Sequence, residues 1–79
     1  MAGTGDDRIA AAIRRLAKAR SPGSFCPSEV ARGLAEDWRP LMPAVRAAAA
    51  AMPDIVATQG GAPVDAARTR GPIRLALRH

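Results

Sequence analysis

Asp37-Trp-Arg-Pro-Leu-Met-Pro-Ala-Val-Arg46-Ala-Ala-Ala-Ala-Ala-Met52 is the stretch whose reading decides the fold. Wound at about 100° per residue, it puts Leu41, Val45, Ala48 and Met52 on one stripe, spaced i, i+4, i+7, i+11. Arg39, Pro43, Arg46 and Ala50 fall on the opposite side. A helix with one apolar stripe and an arginine-bearing outer face suits a position between a core and an anionic partner. The alanine run favours helix, and Pro53 stops it because proline has no N–H and clashes with the preceding turn. Pro40 fits a first turn, whereas Pro43 would remove a bond from a helix already begun at Trp38. The expectation is a helical element over 38–52, with a loose or 3₁₀-like turn at Trp38–Met42 and regular helix from about Met42.

Upstream, Ile9, Ile13 and Leu16 repeat the i, i+4, i+7 spacing, with Lys18 and Arg20 suited to a helix C-terminus. They predict a first helix over 6–20, preceded by a disordered 1–5, with Thr4 and Asp7 spaced as a weak capping box. Ser21-Pro22-Gly23-Ser24 is a turn cluster. Pro27 pushes Cys26 toward extended backbone, so Phe25-Cys26 reads as a short extended piece. A second helix follows over 27–34, with Glu29 near its start and Val30 and Leu34 inward. Two helices joined by Ala35-Glu36-Asp37 match a helix-turn-helix.

Downstream, Asp54-Ile-Val-Ala-Thr-Gln59 is a strand candidate and Gly60-Gly61-Ala62-Pro63 a turn signal. In Pro72-Ile-Arg-Leu-Ala-Leu-Arg78, Ile73, Leu75 and Leu77 alternate with Arg74, Ala76 and Arg78, the period of a half-buried strand. The expected architecture is a single domain, 1–79, mainly α with a small β-hairpin over 54–77. This is a winged helix-turn-helix, three helices plus a two- or three-stranded antiparallel sheet, with Phe25-Cys26 the candidate third strand and the inward residues of every element sharing one core.

Three segments then become recognisable. Pro27-Ser-Glu-Val-Ala-Arg32, Asp37-Trp-Arg-Pro-Leu-Met-Pro-Ala-Val-Arg46 and Arg70-Gly-Pro-Ile-Arg-Leu75 together resemble a family of small bacterial winged helix domains catalogued as a domain of unknown function. The resemblance covers nearly the whole chain and implies the winged helix fold, but it assigns no activity and no functional residues. DNA binding is the usual role of such domains, and enters by analogy of fold.

Composition narrows the function classes. A chain of 79 residues buries only about 60% of its unfolded surface, so a homodimer is a compatible supplement. The formal net charge is +5 and the pI about 11.4, which attracts polyanions. Eleven of the twelve basic residues are arginines, Lys18 being the exception. Arginine's planar fork suits phosphates and guanine edges, although an Arg- and Ala-rich chain also follows from a GC-rich genome. One cysteine and one histidine, Cys26 and His79, exclude an intrachain disulfide framework and an ordinary zinc site. No run approaches the ~18 apolar residues of a membrane span, and the start lacks the pattern of a signal peptide. The expectation is a cytoplasmic protein that contacts no membrane.

No residue set carries catalysis. Cys26 has no histidine placed as its base, and Glu29, Glu36 and Asp37 sit at helix boundaries where capping explains them. Gly60-Gly61 is not followed by a phosphate-binding helix. No enzyme, cofactor, metal or small-molecule ligand is expected. Trp38 reads as a lid on the core more than as a ligand platform.

The binding candidates are Arg39 and Arg46 on the third helix, which enters the major groove in helix-turn-helix proteins, and Arg68 and Arg70 in the wing. Pro and Ala on the same helix face offer no hydrogen-bond pattern, so phosphate and shape contacts to double-stranded DNA should outweigh base reading. Arg70 also has a structural reading, tying the loop to Asp65 or to a carbonyl at the Gly71-Pro72 corner. A DNA-binding protein, in the role of a transcriptional regulator, is the first hypothesis. The alternative is a protein-interaction or dimerisation module that binds no nucleic acid.

Overall fold

Ile9, Ile13 and Ala17, on one face of α1 (Thr4–Arg20), are buried against the other two helices and the sheet. The structure, a computed structural model, describes residues 4–78. Thr4 and Gly5 belong to α1, which corrects the expected disorder of 1–5 for those two positions; residues 1–3 and the Thr4 side chain of the expected capping box lie outside what is described.

α2 (Pro27–Leu34) starts where Cys26 is held extended, at φ −89° and ψ 145°, as the following proline demands. Glu29 caps it. Its Oε2 accepts the Cys26 backbone N–H at 2.9 Å, while Oε1 accepts Arg20 Nη2 at 2.6 Å. Those two donors, the backbone N–H foremost, hold the Glu29 carboxyl below its ordinary range. Trp38 leads into a 3₁₀ turn, Arg39–Leu41, and α3 runs Met42–Ala51. The tightening expected from Pro40 and Pro43 is present, and Pro53 follows the helix end.

The stripe on α3 is re-phased. Val45, Ala49 and Met52 are buried, whereas Leu41 and Ala48 are only half-buried. Leu41 sits in the 3₁₀ turn, whose ~120° per residue carries it off the α-helical line. On α1 and α2 likewise, Ala17 and Ala31 are buried while Leu16 and Leu34 are half-exposed. These alanines are fully covered or nearly so, and the leucines pack partly buried against the same core.

The chain then forms a sheet, β1 (Ile55–Gln59), β2 (Ala62–Pro63) and β3 (Arg74–Leu77), in the order β2-β1-β3 and antiparallel throughout. Gly60 and Gly61 have φ of 59° and 86°. Positive φ at both central residues makes the two-residue turn whose twist matches the strands, pairing Gln59 with Ala62. The hairpin expected over 54–77 is therefore closed in two pieces: a tight turn into β2, and a return segment that carries the chain to the other edge of β1. Thr58 pairs with Arg74 and Ile55 with Leu77. Ile73 is buried but precedes the strand.

Phe25 supplies the expected further strand as a single bridge to Leu75, with N–H to carbonyl distances of 2.8 Å in both directions. Phe25, Ile13, Leu75 and Val45 are the largest fully buried side chains, one from each of four segments. No polar side chain is buried among the described residues. The result is three helices on a three-stranded sheet, the winged helix arrangement.

One ion pair ties the first helix to the start of the sheet. Arg14 Nε and Nη2 donate to the two Asp54 carboxylate oxygens at 2.8 and 3.1 Å. The Arg14 hydrogen bond holds the Asp54 carboxyl below its ordinary range.

Candidate nucleic-acid interface

Arg46 leaves α3 toward the wing. Its Nη1 donates to the Thr69 carbonyl and its Nη2 to the Gly71 carbonyl. From the far end of β1, Gln59 Nε2 donates to the Arg70 carbonyl at 2.7 Å and to the Pro72 carbonyl at 3.2 Å. Four consecutive carbonyls, 69 to 72, thus alternate between two side chains. Upstream in the same segment, Val64 N–H bonds the Ala57 carbonyl at 2.9 Å and Ala66 is buried at 2% exposure. Asp65 accepts the Ala67 N–H on Oδ1 at 2.9 Å and the Thr69 N–H on its carbonyl at 2.9 Å. The wing is a pinned structure, held by side chains where strand pairing stops.

This arrangement assigns different situations to the four arginines expected to bind. Arg46 has both arms of its fork occupied by wing carbonyls. The task of tying down the loop, considered for Arg70, is carried by Arg46 together with Gln59. Arg70 is exposed, lies between the two carbonyls that Arg46 holds, and has no side-chain partner among the described residues. Arg68 is 89% exposed, with Nε 3.8 Å from Asp65 Oδ2, a loose pair that water screens. Arg39 is exposed and stacks on Trp38, its guanidinium carbon 4.7 Å from the ring centroid.

Arg46 bonds to the wing segment that carries Arg68 and Arg70. Arg39 stands apart in the 3₁₀ turn and not on α3 proper. Counting the 3₁₀ and α portions separately, it lies about 12 Å before Arg46 along the axis and about 40° around from it. That is the same side of the element. The rest of the outer face is Pro43, Ala47, Ala50 and Ala51, all exposed and without hydrogen-bonding side chains.

Sequence reasoning missed Arg32. Its guanidinium carbon is 4.6 Å from the Trp38 centroid, so the half-buried indole carries two cations. No regular spacing links Arg32 to Trp38, because a turn intervenes. It also missed how much arginine is spent within the fold. Arg74 donates to Ser24 Oγ at 3.0 Å, to the Ser24 carbonyl at 2.9 Å and to Cys26 Sγ at 3.0 Å. Arg78 Nε donates to the Pro53 carbonyl at 2.8 Å. With Arg14, Arg20 and Arg46, five of the eleven arginines bond protein groups among the described residues; within that set Arg8, Arg15, Arg32, Arg39, Arg68 and Arg70 make no such bond, and only the Trp38 ring and the loose Asp65 pair engage any of them.

Cys26 is half-exposed at the start of α2, the helix-start position expected of it. Among the described residues no three His, Cys, Asp or Glu side chains gather as metal ligands, and no helix is long and apolar enough to cross a membrane. His79 lies outside the described residues. Comparison with known proteins gives two findings. The family described as "Protein of unknown function (DUF3253)" matches residues 6–78. No curated protein matches the chain.

Proposed function

The chain belongs to the DUF3253 family, and from that premise we propose that it is a non-enzymatic winged helix domain that binds double-stranded DNA through phosphate and shape contacts. The observation that carries the reading is the Arg46 fork. By holding Thr69 and Gly71, it fixes the wing against α3, while Arg68 and Arg70 in the same wing segment stay exposed. Arg39 extends the same basic side, braced on Trp38. Arg39, stacked on Trp38, is already partly ordered and loses less side-chain freedom on meeting a phosphate than a free arginine would, and each released counterion adds to affinity.

The same geometry argues against reading of bases. Arg46, the one hydrogen-bonding side chain on α3, is turned to the wing, and the exposed Ala47, Ala50 and Pro43 distinguish no base edge. Such a domain occupies duplexes of any sequence, a general DNA-coating or accessory role more than that of a site-selecting regulator. Fluorescence anisotropy on a short random-sequence duplex tests it. Binding should weaken with salt with a slope of about −3, one increment of ~0.9 for each of Arg39, Arg68 and Arg70, and should differ little between sequences. Absence of binding at low salt overturns the proposal.

A further inference from the structure

A second surface lies between α1 and α2. Ala12, Arg15, Leu16 and Ala19 form one wall and Glu29, Val30, Gly33 and Leu34 the other, around an open cavity of about 270 Å³. Leu34 also lines an adjoining cavity of about 210 Å³ with Arg8, Ile9, Ala35 and Leu41. The two make one apolar groove, which follows α1 from Arg8 to Ala19 for about 17 Å, three helical turns. Its leucines, Leu16, Leu34 and Leu41, are those expected in the core and found half-exposed.

Gly33, one residue before the end of α2, is the anomaly in the groove's α2 wall. A glycine in a helix has a conformational cost relative to alanine, and a positive φ or a crowded Cβ would account for it. Neither holds here: Gly33 has no positive φ, and a Cβ built on it meets nothing within 4 Å. Packing within the chain does not require the missing side chain. A gap left open in the wall of an apolar groove leaves room for another backbone.

We infer that this groove seats an amphipathic, acidic helix of a partner protein. Helix-in-groove docking needs apolar anchors at helical spacing, which the leucine margins accept. Charge selects the sign: Arg8 and Arg15, two turns apart on α1, line the groove and have no side-chain partner among the described residues. The groove's own carboxylate, Glu29, is already bonded to Arg20 and to the Cys26 N–H. A second copy fits poorly, because a two-fold contact sets the same patch against itself and would bring Arg8 and Arg15 toward their own counterparts. A small ligand fits poorly too, since the apolar lining offers few polar groups to orient one. The inference stands independently of DNA binding.

A display library of random linear peptides selected on the full chain tests it. Enriched peptides should carry apolar residues at i, i+4 and i+7 with Asp or Glu between them. Their amide shift perturbations should map to Ala12, Leu16, Gly33 and Leu34. Gly33→Gln, which fills the groove from an exposed helical position, should keep the thermal stability and bind such peptides about tenfold or more weakly. Arg8→Glu with Arg15→Glu should weaken them similarly, and replacing their acids with lysine should do the same. The proposal is overturned if no peptide is enriched, if enriched peptides lack the helical spacing or the acids, or if Gly33→Gln binds them equally. Self-association through this groove in sedimentation would overturn it as well.

Discussion

Arg46 and Gly71 are joined by a side-chain hydrogen bond across 25 residues of sequence, from the outer side of α3 to the corner of the wing. With the companion bond to Thr69, this makes Arg46 a brace inside the proposed binding surface, and its loss should look different from the loss of a phosphate contact.

Arg46→Ala should destabilise the domain by about 1–2 kcal/mol, the scale of hydrogen bonds to a charged group in a partly wet site. Amide exchange should accelerate over residues 64–72. Arg46→Lys keeps the charge but not the fork and should fail in the same way. In the DNA assay both variants should lose affinity while the salt slope stays near that of the unaltered protein. A slope reduced by about one unit would show instead that Arg46 touches a phosphate.

Arg68→Ala and Arg70→Ala should do the converse. Neither guanidinium holds the fold, so unfolding free energies should stay within about 0.5 kcal/mol, while each change lowers the salt slope by roughly one unit. Arg74→Ala is the control. It removes three bonds to Ser24 and Cys26, so it should lower the melting temperature and leave the slope alone.

Acid should destabilise the domain through two carboxylates. Asp54, beside Arg14, and Glu29, capped by the Cys26 N–H and Arg20, both lie below their ordinary range when folded. Each therefore contributes stability that is present above the unfolded-state value, about pH 4, and lost as pH falls through the lower folded-state value. Thermal unfolding over a series of pH values should show the decline, and Asp54→Asn should flatten part of it. Further replacing Glu29 with Gln should flatten more of it.

The phase of the α3 stripe is testable by adding bulk. Ala49, 3% exposed, meets the core, so Ala49→Leu should cost about 1–3 kcal/mol by overpacking. Ala48→Leu, at a half-exposed position, should cost much less. Urea unfolding of the two variants separates the observed stripe from the one that ideal periodicity draws. In the core itself, Leu75→Ala should cost about 2–5 kcal/mol, since Leu75 is fully buried.

That contrast also marks how far the fold was legible. Helix boundaries set by Pro27, Pro43 and Pro53, the strand alternation about Leu75 and the bridging strand at Phe25 are local, because each follows from a backbone restriction or a period. The burial of Ala49, Ala17 and Ala31 in place of neighbouring leucines is not local. It depends on how closely two helices approach, which no single helix encodes. The candidate site was legible in part for the same reason. Arg68 and Arg70 stand exposed because a polar loop exposes them. The engagement of Arg46 with Thr69 and Gly71, and of Arg32 with Trp38, depends on chain segments brought together only by folding.

The alternation of the 69–72 carbonyls between Arg46 and Gln59 also bears on how the wing can change length. Parity matters within it. One residue inserted there would hand to Gln59 the carbonyls that Arg46 now serves, and both side chains would lose their partners together. Two residues would restore the order. The turn at Gly60-Gly61 carries no such constraint beyond its paired strands, so added length is absorbed there and rejected a dozen residues later. Wings of this design should vary at the tip and keep their stem length fixed.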